Sequence, residues 1–311
     1  MTDIGFKERS PANARYDMFA PTQGSFVLNL AVYYSSIEWQ SLFKKCLGPL
    51  LRDMKVDSPA NRFNLYFSGD QGDHIRLTMH LQGNFQQKVF RYKTSIQNFL
   101  DSHPSERTER PLPLTDSFFL DVPNNLVLIN SFKPFALNLT QLPQPLVDML
   151  KNSISDLVLE TFSDIDPDKE SLFNFYICLQ ITTLTVFGGL TRAREWLEKN
   201  HKIHSELLSS ADLKKIEDQA NRILEDNIDD FFQIVELVEN GTPVPDTQWL
   251  TRWYQACRQV AAAPSPEMLF IEMRILVSQH INFYDSKLDT LVLHILRFLL
   301  KKKITNSIYN S

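Results

Sequence analysis

Two groups of residues in this chain have the types and spacing to do chemistry. In the run Arg62–His80, RFNLYFSGDQGDHIRLTMH, the residues Ile75, Leu77 and Met79 alternate with His74, Arg76, Thr78 and His80. Side chains of an extended strand point alternately to its two faces, so the four polar residues share one face. Imidazoles, a hydroxyl and a guanidinium side by side suit the holding of an anion or a carbonyl oxygen. The second group lies in ILVSQHINFYDSKLD, where Ser278, His280, Asn282 and Tyr284 fall close together. A hydroxyl, an imidazole and a phenol are groups that donate, accept or relay protons near neutral pH. Each has a plainer alternative. Tyr284 packs with its hydroxyl in water, His280 is a hydrogen-bonded structural histidine, and Arg76 is a solvated cross-strand partner.

The elements that must position these residues can be read from hydrophobic periodicity. Ser25–Tyr34 is dense in β-branched and aromatic residues and reads as a strand. Ile37–Met54 follows with Leu42, Phe43, Cys46, Leu50 and Leu51 at helical spacing. Strands Arg62–Ser68 and His74–Leu81 flank a Gly69-Asp70-Gln71-Gly72 turn, and Gln86–Asp101 is an amphipathic helix. The stretch 117–139 reads as a second β-hairpin, broken at Pro123-Asn124-Asn125 and flanked by Pro111, Pro113, Pro143 and Pro145. Beyond it the pattern is helical: Leu146–Phe162, Leu172–Phe187, Arg192–His201, Asp212–Asn240, Thr247–Ala263, Pro266–Gln279 and Leu288–Lys303. Gly188 and Gly189 read as a helix stop, and so do Gly241 and Pro243. The expected fold is α+β, with an N-terminal antiparallel sheet, packed helices, a second hairpin and a mainly helical C-terminal half. Residues 1–145 form the sheet region and 146–311 the helical region of one integrated unit.

Composition narrows the function classes. A net charge of −5 over 311 residues offers no clustered basic face for nucleic acid, and Lys301–Lys303 reads as a solvated helix end. Cys46, Cys178 and Cys257 have no CxxC or Cys/His spacing, which argues against zinc and against a disulfide framework. No apolar signal core and no uninterrupted apolar run of membrane-spanning length is present, so the expectation is a cytoplasmic protein without membrane contact. GxGxxG, GxxxxGK, GxSxG and HExxH are absent, Asp229-Asp230 reads as a solvated acidic pair, and no cofactor is implied.

The hairpin motif carries a resemblance. Phe63, Phe67, the Gly-Asp turn, His74, Ile75, Arg76 and Leu77 resemble the "FF-x-RY … HLRLR" hairpin of the lanthipeptide-dehydratase small-domain family. The upstream strand SFVLNLAVYY and the helix from Trp39 to Leu51 stand where that family has them, and His280 and Asn282 resemble a worn "S-x-x-H-x-x-x-NRL" helix end. The elimination enzymes of this family remove glutamate from glutamylated Ser or Thr, chemistry that needs cations for the departing carboxylate. Here Tyr66 and Thr78 stand where two of those arginines are expected, and Arg76 remains.

The chain is therefore most similar to the family's stand-alone thiopeptide pyridine synthases, which join two dehydroalanines by a formal aza-[4+2] cycloaddition with loss of water and leader peptide. That resemblance implies Ser278 and Tyr284 as catalytic groups, with His280 between them and Arg76 on the hairpin. Tyr66, His74, Thr78, His80 and Asn282 then contact substrate. It implies a leader-bearing precursor peptide as partner, with other pathway enzymes, and the 117–139 hairpin as the edge that captures the leader. Two alternatives stay open. One is a glutamate-elimination subunit in which Arg91 or Arg192 moves into the site; the other is a non-catalytic leader-binding scaffold.

Overall fold

The computed structural model describes residues 24–69, 71–107, 122–133, 140–206, 208–240, 248–262, 265–283 and 286–309. Strand β1 (Ser25–Tyr33) is followed by a helical run of four parts: a 3-10 turn (Ser36–Glu38), α1 (Trp39–Leu42), a π turn (Phe43–Leu47) and α2 (Gly48–Asp57). The π turn has a cause in the sequence. Pro49 has no N–H to give and its ring crowds the preceding turn, and widening that turn relieves both. Gly48 is required there because a Cβ would meet the Phe43 carbonyl oxygen at 2.7 Å.

Strands β2 (Arg62–Ser68) and β3 (His74–Gln82) form the expected hairpin, and α3 (Phe85–Ser102) starts on an Asn84 cap whose Oδ1 accepts from the Gln87 N–H at 3.1 Å. A fourth strand, β4 (Leu126–Ile129), joins the same sheet on the far side of β1, giving the antiparallel order β2-β3-β1-β4. The described part of the 117–139 hairpin is thus one edge strand of a single sheet. Residues 117–121 and 134–139 lie outside the described residues.

The sheet has two unlike faces. Leu28, Leu30, Val32, Phe63, Leu65, Phe67, Ile75, Leu77 and Met79 are buried on one, together with residues of α1, α2 and α3 in one apolar cluster. Phe67 packs between Trp39, Phe43 and Phe162, which joins the sheet to the helical half. The other face carries the polar residues. Both edges are occupied by side chains, which blunts them against strand addition: Ser155 Oγ accepts from Leu65 N at 2.9 Å, and Gln97 Oε1 accepts from Val127 N at 3.0 Å.

The helical half comprises α4 (Gln144–Asp164), α5 (Lys169–Ser205), α6 (Ser210–Asn240), α7 (Gln248–Val260), α8 (Pro266–Ile281) and α9 (Ser286–Tyr309). The expected stop at Gly188-Gly189 is corrected: α5 runs straight through it for 37 residues. Two interior glycines cost roughly 1 kcal/mol each, and packing of α5 against α6, α7, α8 and α9 outweighs that cost. Helix α9 likewise continues past Lys301–Lys303, so these lysines are not its last turn. The described thiols are non-nucleophilic, since burial pushes Cys46 and Cys178 up to about 12. No helix among the described residues is long and apolar enough to cross a membrane.

Candidate active site

Antiparallel register sets the polar face of the sheet. Asn64 pairs with Thr78, Tyr66 with Arg76 and Ser68 with His74, while β1 adds Asn29 beside Thr78 and Tyr33 beside His74. These side chains are largely buried: Tyr66, His74 and Thr78 are each 2% exposed. A polar face taken out of water must be internally paired. Thr78 Oγ1 donates to Asn29 Oδ1 at 2.9 Å, and Arg76 Nε donates to His74 Nε2 at 3.0 Å. Because His74 Nε2 accepts, the ring is neutral with its proton on Nδ1, which donates to the Gly72 carbonyl at 2.9 Å. Tyr33 stacks on the same imidazole at 4.5 Å, and the Arg76 guanidinium lies over the Phe132 ring at 5.6 Å. Asn64 Oδ1 is buried without a partner among the described residues. His80 shares the strand alternation but sits at the exposed end of β3.

Helix α8 lies against β2 and divides the C-terminal candidates between its two sides. Residues two apart on a helix point about 200° apart, and His280 and Ser278 do so. His280 is fully buried and packs on Tyr66 with ring centroids 4.4 Å apart, so the hairpin and the C-terminal motif do meet. Its Nδ1 donates to the Leu276 carbonyl at 2.8 Å, and its Nε2 has no hydrogen-bond partner among the described residues. Burial lowers its pKa to about 4, leaving the ring neutral at physiological pH.

Ser278 faces the opposite way, into a buried chain of polar groups. Its Oγ lies 3.2 Å from the Tyr176 hydroxyl of α5. The Tyr176 hydroxyl donates to Asp289 Oδ1 of α9 at 3.2 Å, and Arg274 of α8 holds the same carboxylate oxygen at 3.0 Å. Burial pushes the Tyr176 phenol up to about 12, so it stays protonated. Ser278 stands in the last turn of α8, which ends on Asn282 in the left-handed region with φ 53°. The Ser278 carbonyl accepts from the Phe283 N–H at 2.9 Å and from Asn282, which fixes the backbone behind the serine. Tyr284, the other hydroxyl candidate, lies outside the described residues.

This helix end opens on a cleft of about 780 Å³ between the start of α5, α6 and the α8–α9 junction. Leu172, Phe173, Ile223 and Phe283 line it and Asn282 stands at it. Phe283 packs on Tyr176 at 5.2 Å, so the cleft adjoins the Ser278 chain through one aromatic side chain. Among the described residues no cluster of three or more His, Cys, Asp or Glu side chains could hold a metal ion.

No protein-family model matches the chain, and no curated protein matches it in sequence. The likeness is in three dimensions. A solved pyridine synthase, TbtD from thiomuracin biosynthesis, superposes with a TM-score of 0.66 over 89% of this chain and 98% of its own, at 14% identity. This chain shares that protein's fold. TsrL matches with a TM-score of 0.50 over 91% of this chain and 96% of its own, at 10% identity. The tRNA-dependent lantibiotic dehydratase MibB from Microbispora sp. 107891 matches with a TM-score of 0.53 at 10% identity. There the similarity covers 90% of this chain but only 28% of MibB, so the chain spans little more than a quarter of that dehydratase. The fold implied by the hairpin motif is therefore the one observed.

Within this fold, sequence reasoning missed Tyr176, Arg274 and Asp289. A signal for them existed. Arg274 is, with Glu272, one of two charges in the otherwise apolar run MLFIEMRILV and sits four residues before Ser278, on the same helix face. The arginines considered as replacements for the lost pair are elsewhere: Arg91 pairs with Asp57 at 2.8 Å on the surface, and Arg192 is exposed in the second half of α5.

Proposed function

We propose that this protein is a pyridine synthase of thiopeptide type, acting on a leader-bearing ribosomal peptide that already contains two dehydroalanines. The supporting observation is the contact of Tyr66 with a neutral, buried His280. Tyr66 stands at one of the two positions where the resemblance expects an arginine, and a phenol on an uncharged imidazole offers no counter-ion to a departing glutamate. Arg274, the buried cation near Ser278, is already matched by Asp289.

A cycloaddition asks for less charge. The amide preceding the second dehydroalanine must reach its iminol form, its C=N–C=C unit must meet the first dehydroalanine, and two C–C bonds form, one at each end of that unit. Loss of one water and of the leader then yields the aromatic ring with no oxidant. Because the leader is joined through the nitrogen of the first dehydroalanine, it departs as a carboxamide. Holding the two alkenes together supplies much of the acceleration, roughly 7–11 kcal/mol in well-oriented systems. Hydroxyl groups such as those of Ser278 and Tyr284 supply the hydrogen bonds for tautomerisation, while on the sheet Arg76, oriented by His74, binds a peptide carbonyl and Thr78 Oγ1 accepts from a peptide N–H. The cleft beside Phe283 accommodates apolar parts of the folded-back core peptide. Because Gln97 already takes the Val127 N–H of β4, leader capture at this edge would run through side chains and not through strand addition.

Glutamate elimination is the second reading, kept by Arg76, which retains one hairpin cation. The two separate when purified protein is given a bis-dehydroalanine peptide and a glutamylated peptide side by side, with products weighed by mass spectrometry. Ring formation from the first and no loss of glutamate from the second is the expected outcome; glutamate loss alone overturns it.

A further inference from the structure

We infer that Tyr176, held by Asp289 and Arg274, is a positioning residue that fixes the Ser278 hydroxyl as a hydrogen-bond acceptor for substrate. The inference rests on the pyridine-synthase reading for the identity of that substrate, and on donor counting for the rest. A carboxylate oxygen only accepts, so in its contact with Asp289 the Tyr176 hydroxyl spends its single proton. Arg274 keeps Asp289 in that role from the other side, its guanidinium nitrogen 3.0 Å from the same oxygen. The Tyr176 oxygen is left with lone pairs alone. At 3.2 Å from it, Ser278 has to be the donor, which commits the serine proton to Tyr176 and leaves its lone pairs to accept.

The surroundings preserve this polarity. The Tyr176 phenol, pushed up to about 12 by burial, does not ionise to disturb it. Phe283 packs against the Tyr176 ring, and the two hydrogen bonds on the Ser278 carbonyl hold the serine in register with it. A serine presented in this way accepts from a substrate amide N–H or iminol O–H and does not serve as the proton donor. The matching substrate group is the amide whose tautomer enters the ring. Proton donation to leaving groups then falls to another residue.

The test uses the full-length protein. Tyr176→Phe keeps the ring and removes the acceptor, releasing the serine proton to point at substrate. Loss of one orienting hydrogen bond corresponds to about a tenfold fall in kcat, with KM for the bis-dehydroalanine peptide and the melting temperature little changed. A packing role alone moves stability and KM together.

A second arm needs no turnover. With 3-fluorotyrosine incorporated at position 176, the fluorine resonance is expected to shift when Ser278→Ala removes the donor. Wild-type kcat in Tyr176→Phe overturns the inference, as does a resonance indifferent to Ser278→Ala. If the wild-type protein cyclises no peptide, the pyridine-synthase reading falls, and the fluorine resonance alone decides whether Ser278 and Tyr176 are bonded.

Discussion

Acidification weakens this fold through His280, by an amount that follows from its burial. The imidazole is fully enclosed between α8 and Tyr66, and burial lowers its pKa to about 4 from the ordinary 6.5. Between those values the unfolded chain binds a proton that the folded chain does not. The stabilisation is therefore complete above the unfolded pKa and is lost as pH falls through the window toward the folded one. The full span is about 3 kcal/mol, of which about 2 kcal/mol falls between pH 7 and pH 5. For a chain of this length, 2 kcal/mol is about 3 °C in melting temperature. Urea unfolding followed by tryptophan fluorescence at the two pH values measures the effect directly. His280→Leu keeps an apolar contact for Tyr66 and cannot take up a proton, so the variant should lose that share of the pH dependence. His294, whose pKa burial also lowers, acts in the same direction in both proteins and cancels in the comparison. Parallel pH profiles for wild type and variant would refute the reasoning.

Other consequences are as direct. Ser278→Ala should cut turnover of the bis-dehydroalanine peptide by about tenfold or more while leaving the protein folded, as read by mass-spectrometric rate measurement. Arg76→Lys removes the Nε–H that meets His74 and should raise KM for the peptide more than it lowers kcat. Asp289→Ala strands a buried guanidinium and should cost about 3 kcal/mol in urea unfolding, more than Arg274→Met, which removes the charge with it. Asn282, at φ 53°, should tolerate Gly, whereas Asn282→Val should cost about 1–2 kcal/mol in the same assay.

Much of the N-terminal half was legible in the sequence because its signals are local. Alternation in His74–Leu81 and the turn at Gly69–Gly72 each act over a few residues, and β2 falls on the expected residues. The misreadings were made where packing overrode local preference. Gly188-Gly189 resembles a stop, yet α5 is the helix on which four others pack. The 126–129 segment has strand character, but nothing within it says that its partner is β1, almost a hundred residues earlier. The site follows the same rule. Ser278 and His280 are two residues apart on a helix and so point to opposite sides, and the placement of α8 between the sheet and α5 decides what each side meets. Tyr66 could be flagged from the motif; its partner His280, more than two hundred residues away, could be matched to it only by the fold.

The central claim meets its most direct test in a mass balance. Purified protein is incubated with a leader-bearing, azole-containing peptide carrying two dehydroalanines, and every product is weighed. A pyridine synthase gives two products in equal amounts, a leader ending in a carboxamide and a macrocycle, whose masses plus one water sum to that of the substrate. Full recovery of the unchanged peptide, from a preparation that removes glutamate from a glutamylated counterpart, contradicts it.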